Sequence, residues 1–402
     1  MEERTRAYLR GRFRDYYRRA SIAPPPDASQ REWGFIPWTE GPGTTMVRHR
    51  SLLELGALDE FLARKRPRHV YFSAGRYDDP SAGNMNRKGW RSSDLVFDLD
   101  ADHLPGVSPT EDSYEKMLAV CKDALFRLLD ILEDDFGFED LTVVFSGGRG
   151  YHVHVRDDGV RALDREQRRE IVDYVRGIDV EFDHLIEHKA VGGTAGRSSP
   201  AHKRSLVTDG GWSRRVHDRL DAFVDELLEL PEEDALEKLR EFDGIGEGKA
   251  RGALTAAQNN RAQIAAGNVD VHPAFYQLAR ILSEDVLETG SAPIDEPVTT
   301  DTNRLIRLPG SLHGGTGLRV LRIDRDDLAE FEPLTDAVTE QFVGQDIRID
   351  VTGTEDMPGG SQDSATISLG GDSFTIEPGA QTVPEHVGVY LMARGHAEKE
   401  KE

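Results

Sequence analysis

Residues 94–100 read Asp-Leu-Val-Phe-Asp-Leu-Asp. Along a strand, side chains alternate faces, so Leu95, Phe97 and Leu99 share one face and Asp94, Val96, Asp98 and Asp100 the other. The apolar face belongs against a core. The opposite face sets Asp98 and Asp100 side by side at the strand end, where two carboxylates repel unless a cation sits between them. Oxygen donors of this kind suit Mg²⁺ or Mn²⁺, which take a few carboxylates and complete their shells from substrate phosphates. Taken alone, the pair equally describes a solvated strand end.

A second block, Phe145-Ser-Gly-Gly-Arg-Gly-Tyr-His-Val-His154, reads as strand, Gly-rich turn and strand, with His152 and His154 on one face. Glycines let backbone N–H groups approach an anion closely. Arg149 adds a planar donor fork suited to phosphate. A plain hairpin with a surface Arg and two solvated histidines is the other reading. The third block runs from Asp295 to Asp301 and on through Asn303-Arg-Leu-Ile-Arg-Leu-Pro-Gly-Ser-Leu-His313. It offers another carboxylate, two Arg and a His in one strand and turn. Carboxylates plus phosphate-binding cations suit phosphoryl transfer, with two metals clamping the attacking and leaving oxygens.

The elements that must position these groups follow from periodicity. Residues 3–19 read as a helix ending before Pro24-Pro25-Pro26, and 68–73 and 94–100 as strands. Residues 112–136 read as a helix with Leu118, Cys121, Leu125, Leu128, Leu129 and Leu132 on its apolar stripe, which makes Cys121 a buried small residue rather than a nucleophile. Strands at 141–146 and 151–155 flank the Gly-rich turn. A helical region spans 163–270, with Val216, Leu220, Phe223, Val224, Leu227 and Leu228 as an apolar face. Residues 272–288 read as a further helix, 304–308 and 347–351 as strands, 365–369 and 374–377 as short strand-like runs, and 384–398 as a closing helix with Pro384 at its start. Gly244–Lys249 resembles a helix-hairpin-helix turn but reads as an ordinary helix-helix connection. The division expected is 1–162 and 271–350 for a core in two parts, 163–270 for a helical subdomain, and 351–402 for a Gly-rich segment with the closing helix.

Of 402 residues, 73 are acidic and 50 basic, for a net charge of −23, and Arg outnumbers Lys 40 to 10. Acidic, Arg-rich usage with one Cys suggests a cytoplasmic protein from a salt-rich cell, where screening relieves self-repulsion. The lone Cys121 excludes a disulfide framework and any multi-Cys metal site within the chain. The charged N-terminus does not read as a signal peptide, and no run nears the roughly 20 apolar residues of a membrane span. Charge is uneven: residues 1–20 hold seven Arg against Glu2, Glu3 and Asp15, and residues 61–92 hold eight basic residues against Asp78 and Asp79. With Tyr16, Tyr17, Tyr71, Phe72, Tyr77 and Trp90 among them, these islands suit a nucleic acid backbone and its bases. Solvated Arg over core aromatics is the alternative.

Together, in this order and spacing, the three blocks resemble the small catalytic subunit of archaeal and eukaryotic DNA primases, of a haloarchaeal-like kind. The resemblance runs from Arg31-Glu32-Trp33-Gly34-Phe35 to the Pro384 helix. It implies an α+β fold, the archaeo-eukaryotic primase (prim-pol) catalytic core with a helical subdomain. It implies a nucleotidyltransferase that makes short primers on single-stranded DNA from nucleoside triphosphates, with Mg²⁺ or Mn²⁺ at a two-metal site. By the same resemblance, Asp98, Asp100 and Asp295 are the metal-binding catalytic carboxylates, with Asp301 the rival for the third place. Ser146, Arg149, His152, Arg307 and His313 contact the nucleotide, and Glu32 and Arg48 form an initiation-site pair. Relatives carry a small zinc site after the Asp-x-Asp strand; here residues 101–121 offer only Asp102, His103 and Cys121, so that site is expected to be lost or degenerate. A large subunit bearing an iron–sulfur cluster is the implied partner in a heterodimer, with no membrane involved. The blocks leave open a repair primase-polymerase of the same superfamily, or an inactive nucleic-acid-binding subunit. They do not locate the second nucleotide site that priming needs.

Overall fold

The Asp-x-Asp strand is β5 (Leu95–Asp100), and it sits at one edge of a four-stranded antiparallel sheet. β7 (Gly150–Val155) pairs beside it, then β6 (Leu141–Phe145), then β11 (Leu321–Ile323). The alternation does what the sequence requires on one face: Leu95, Phe97 and Leu99 are fully buried. The helix Tyr114–Asp130 covers them, and the Cys121 thiol lies 3.6 Å from the Leu99 carbonyl. A second antiparallel sheet is built on β3 (His69–Tyr77). β1 (Arg31–Ile36) and then β2 (Val47–Arg50) pair along one side of it; β10 (Leu305–Arg307) and β4 (Trp90–Ser93) pair along the other. Val96 of β5 packs against Ala74 of β3 and Ile306 of β10, so the two sheets stack face to face. The computed structural model describes residues 1–39, 45–191, 201–357 and 360–401.

The start of β5 carries a buried ion cluster that alternation alone does not suggest. Asp94 is fully buried, 2.8 Å from Arg31, 2.7 Å from Arg76 and 3.2 Å from Arg156. Arg168 donates to the carbonyls of Asp94 and Ser93. Burying a carboxylate is tolerable only with such partners. Their number also explains why β3 runs on to Tyr77, beyond the expected 73: Arg76, near its end, is bound to Asp94 and Asp27.

The remaining C-terminal elements form a small sheet, β12 (Asp346–Val351) between β15 (Gly379–Pro384) and β16 (Ala397–Lys399), beside the hairpin β13–β14 (Ala365–Leu369 and Asp372–Ile376). The closing helix is shorter than its expected 384–398. It spans Glu385–Arg394 because Gly395, at φ +86°, ends it in a left-handed cap, and the chain returns as β16.

These elements belong to one compact unit, residues 1–126, 138–172 and 293–402. The other comprises 127–137 and 173–292. It is built on the helices Gly211–Glu229, Glu232–Arg240, Glu247–Ala265 and Pro273–Gly290. The expected boundary at 270 falls short of this unit, because the Pro273–Gly290 helix packs on two of the others. Nor is 163–270 helical throughout: β8 (Ile186–Val191) and β9 (Ala201–Leu206) pair as an antiparallel hairpin. Val216, Leu220, Phe223, Val224 and Leu227 are buried as expected, whereas Leu228 is 37% exposed at the stripe's margin. Gly244–Lys249 joins two helices, and the Lys249 ammonium donates to the Gly244 carbonyl within its own turn. Among the described residues no helix is long and apolar enough to cross a membrane.

Candidate active site

Between the two sheets opens a cleft of about 860 Å³ that gathers the three blocks. Asp98 and Asp100 enter it from β5, half-buried. Across the strand pair Asp98 faces His152, whose Nε2 lies 3.3 Å from the Asp98 carboxylate. Burial pushes the Asp98 carboxyl up, but His152, Arg307 and Arg304 outweigh it and hold the group below its ordinary value. Asp295 arrives from far along the chain and donates its backbone N–H to the Asp98 carbonyl at 2.9 Å. Its own carboxyl is shifted up, first by burial and then by Asp98 and Asp100.

The Gly-rich turn is shaped by close approaches. Gly150 crosses β5 so tightly that a Cβ there would fall 1.8 Å from the Leu99 carbonyl oxygen. Gly147 has φ +73°, and a Cβ on it would meet His313 at 2.7 Å. Gly148 donates to the Ser146 hydroxyl and accepts from the Tyr114 hydroxyl, which fixes the turn under Arg149. Arg149 rests against Asp102 at 2.5 Å, with Asp100 at 3.9 Å. Arg307 projects from β10 over the Tyr71 ring, 5.9 Å from its centroid, and its Nε is buried without a partner. His313 contacts Thr316 and packs edge-on to His69, with ring centroids 4.9 Å apart. Burial, then Arg307 and Arg68, lowers the His69 pKa to about 3; burial and Arg307 likewise hold His313 well below its ordinary value.

Glu32 and Arg48 are paired at 3.1 Å, but only Arg48 lines the cleft. Glu32 is fully buried, holding Lys88 and accepting the His49 N–H at 3.0 Å as well. His154, expected on the same face as His152, is completely buried and stacked on Phe72. The residues nearest to a zinc set go three ways: Asp102 to Arg149, His103 to the cleft, and Cys121 beneath β5.

Among the described residues no group of three or more His, Cys, Asp or Glu is already arranged to hold a metal ion. The donor chemistry nevertheless fits a divalent cation. Asp98, Asp100 and Asp295 face one cleft, and the Asp295 carboxyl is raised first by burial and then by Asp98 and Asp100, a like-charge contact that a hard cation would relieve.

Sequence comparison agrees with this geometry. The family model for the DNA primase small subunit matches residues 97–325. A DNA primase small subunit from Haloarcula marismortui is 69% identical over 402 residues, covering 100% of both chains. That of Halobacterium salinarum is 60% identical over 402 residues with the same coverage, and that of Methanococcoides burtonii 37% identical over 404 residues, covering 99% of each. The chain belongs to the DNA primase small-subunit family. Its haloarchaeal relatives agree with the acidic, Arg-rich composition, and its α+β core with a helical subdomain is the primase fold.

Part of the primase cleft comes from outside the matched 97–325 span. Arg68 and Tyr71 reach it from β3 and the residue before it, and Arg394 from the end of the closing helix. None was singled out as a site residue by sequence. Tyr71 reads as one aromatic in a basic island, and Arg394 falls within the expected closing helix 384–398 with nothing to set it apart. Arg394 lies over the Tyr114 and Tyr390 rings, at 4.9 and 5.4 Å; the Tyr390 contact is an i, i+4 pair on one helix, whereas no local pattern encodes the one to Tyr114.

Asp301 also lines the cleft, but its carboxylate accepts the Asn303 N–H at 2.9 Å in a local turn. Asp295 has no such partner among the described hydrogen bonds. Steady-state incorporation by Asp295→Asn should therefore be at least as damaged as by Asp301→Asn; the reverse ranking transfers the third carboxylate to Asp301.

Proposed function

We propose that this chain is the catalytic subunit of a replicative primase, making short primers on single-stranded DNA from nucleoside triphosphates and releasing pyrophosphate. The observation that carries the reading is the convergence of Asp98, Asp100 and Asp295 with Arg149, His152, Arg307 and His313 on one cleft. Asp98, Asp100 and Asp295 would hold two divalent cations, Mg²⁺ or Mn²⁺. Such a pair, when bound, acidifies the attacking hydroxyl and neutralises the leaving group.

The chain's own residues bind and orient the nucleotide. Arg149, half-exposed on its turn, exchanges Asp102 for the triphosphate, a charge-assisted contact that its planar fork fits. Arg307, its Nε unpaired over Tyr71, takes a second phosphate contact. His69 and His313, held neutral by burial and by Arg307 and Arg68, add no like charge to the arginines that meet the triphosphate. His152 orients the Asp98 carboxylate. Buried Glu32 holds Arg48 toward the cleft, which suits an initiation-site role. Arg149→Ala should raise the nucleotide KM and lower kcat/KM about tenfold to a hundredfold, since a hydrogen bond to a charged group is worth roughly 1.5–3 kcal/mol. An unchanged KM makes Arg149 a surface residue only.

The relatives' designation as small subunits supports a larger partner. With one Cys this chain cannot supply the roughly four thiolates of an iron–sulfur cluster, so the partner must carry any such cluster. We place its docking within residues 163–270, away from Asp98 and Asp100. The deciding experiment is nucleotide incorporation on an unprimed single strand, with and without a subunit co-purified from the native cell. The chain alone should start primers poorly, and the partner should improve initiation most. No product in either reaction refutes the reading.

A further inference from the structure

The N-terminal helix Glu3–Tyr17 buries Leu9, Phe13, Tyr16 and Tyr17. Its aromatics are therefore core, and only its arginines are available to a partner. Arg4, Arg6 and Arg12 each meet an acidic side chain, and Arg12 also reaches Glu385. Arg10, Arg14 and Arg18 recur every four residues along one stripe, about 6 Å apart along the axis. Like charges at this spacing oppose helix formation. The neighbouring helix Leu58–Lys65 ends at this face and adds Arg64, Lys65 and Arg66. Arg66 is held below the ordinary Arg pKa, first by burial and then by Arg10, Arg14 and Arg18, and its Nε is enclosed without a partner. Among the described residues, the one carboxylate recorded beside these six is Asp15, at 3.4 Å from Arg14, and Arg12 shares it. In a chain with 73 acidic residues, a six-residue basic face this poorly neutralised is the anomaly.

The face continues into the cleft. Arg68, two residues beyond Arg66, lines the cleft. Its guanidinium lies 5.6 Å over the Trp38 ring, and Trp38 packs edge-on to Phe13 of the N-terminal helix at 5.1 Å.

We propose that Arg10, Arg14, Arg18 and Arg66 form a track for the phosphate backbone of a single nucleic acid strand leaving the cleft. The proposal rests on the polymerase reading of that cleft and adds a surface to it. A single strand is favoured over an acidic protein because the row is evenly spaced, like successive phosphates on an extended strand, and is continuous with the cleft.

The test uses the full chain and a fluorescein-labelled thirty-nucleotide oligothymidylate. Binding is followed by anisotropy over KCl concentrations at which circular dichroism is unchanged. In the Arg10→Gln/Arg14→Gln/Arg18→Gln variant, the slope of log K against log[KCl] should become shallower by about 2, since each single-strand phosphate contact contributes about 0.7. The template KM should rise while the nucleotide KM stays the same. Arg240→Gln/Arg251→Gln/Arg280→Gln removes equal charge from exposed positions elsewhere and should leave the slope unchanged. An unaltered slope in the first variant, or an equal change in the second, overturns the track. Normal DNA binding with lost association of the co-purified partner makes this face a protein-docking surface instead. Because binding is read without catalysis, an inactive wild-type chain that still shows the slope change refutes the polymerase reading and not the track.

Discussion

Asp98→Asn and Asp100→Asn are each expected to cut nucleotide incorporation by at least about a thousandfold, the upper scale for removing one preorganised electrostatic group. Thermal stability should change little beside that loss. The Asp295 carboxyl is raised first by burial and then by Asp98 and Asp100, so an amide at either β5 position relieves a like-charge contact; at position 98 that gain offsets the lost attraction of the carboxylate to His152, Arg307 and Arg304. At position 98, Asn keeps an oxygen to face His152 across the strand pair. A conventional buried salt bridge would lose both stability and function on such a change. The check is incorporation at saturating Mn²⁺ beside a thermal melt. Near-normal polymerisation by either variant removes the carboxylates from the chemistry.

Among the described glycines, Gly150→Ala should be the most destabilising. Its Cβ would lie 1.8 Å from the Leu99 carbonyl oxygen, a backbone atom fixed by the β5–β7 ladder. No rotamer can relieve that overlap. The ladder must separate where Asp100 pairs with Gly150, which would displace Asp100 and the Arg149 turn together. Overpacking in cores costs roughly 1–3 kcal/mol and occasionally more; with no flexible group to yield, the upper end or beyond is expected. Chemical denaturation should show it, with activity lost even where the variant remains folded. Gly148→Ala is the comparison, because its nearest foreign atom, on His313, lies at 3.3 Å. If the two variants have equal stability, the tight crossing is not what holds β5 and β7 in place.

What was legible in the sequence was what local periodicity encodes. Alternation over 94–100 sets Leu95, Phe97 and Leu99 on one face and Asp98 and Asp100 on the other, because a period of two leaves no freedom once one face is apolar; that β7 pairs with β5 and sets His152 against Asp98 is seen only in the structure. Pairings between distant residues were not legible. Nothing local joins Glu32 to Lys88, or Asp94 to Arg31, Arg76 and Arg156, and these buried ion pairs fix which charged residues turn inward. The same blindness hid His154: its spacing equals that of His152, yet it lies one pair further along β7, where Phe72 covers it. The β8–β9 hairpin escaped because Glu187, His188, Lys189, Lys203 and Arg204 leave it without a sustained apolar face.

The cleft's dependence on Asp295 has a consequence for how the molecule is made. β5 is synthesised some 195 residues before the residue that docks on it, since Asp98 must wait for Asp295. At ribosomal rates of roughly 5–20 residues per second, that is about 10–40 s. In that interval both sheets are unfinished. β10, which flanks β3, and β11, which flanks β6, lie beyond residue 300 and have not emerged. The nascent chain therefore presents open strand edges, the feature most prone to pairing with other chains, while the whole intervening 173–292 unit is still being translated. Interruption of synthesis within that unit would release a polypeptide with aggregation-prone edges and no nucleotide-transfer chemistry.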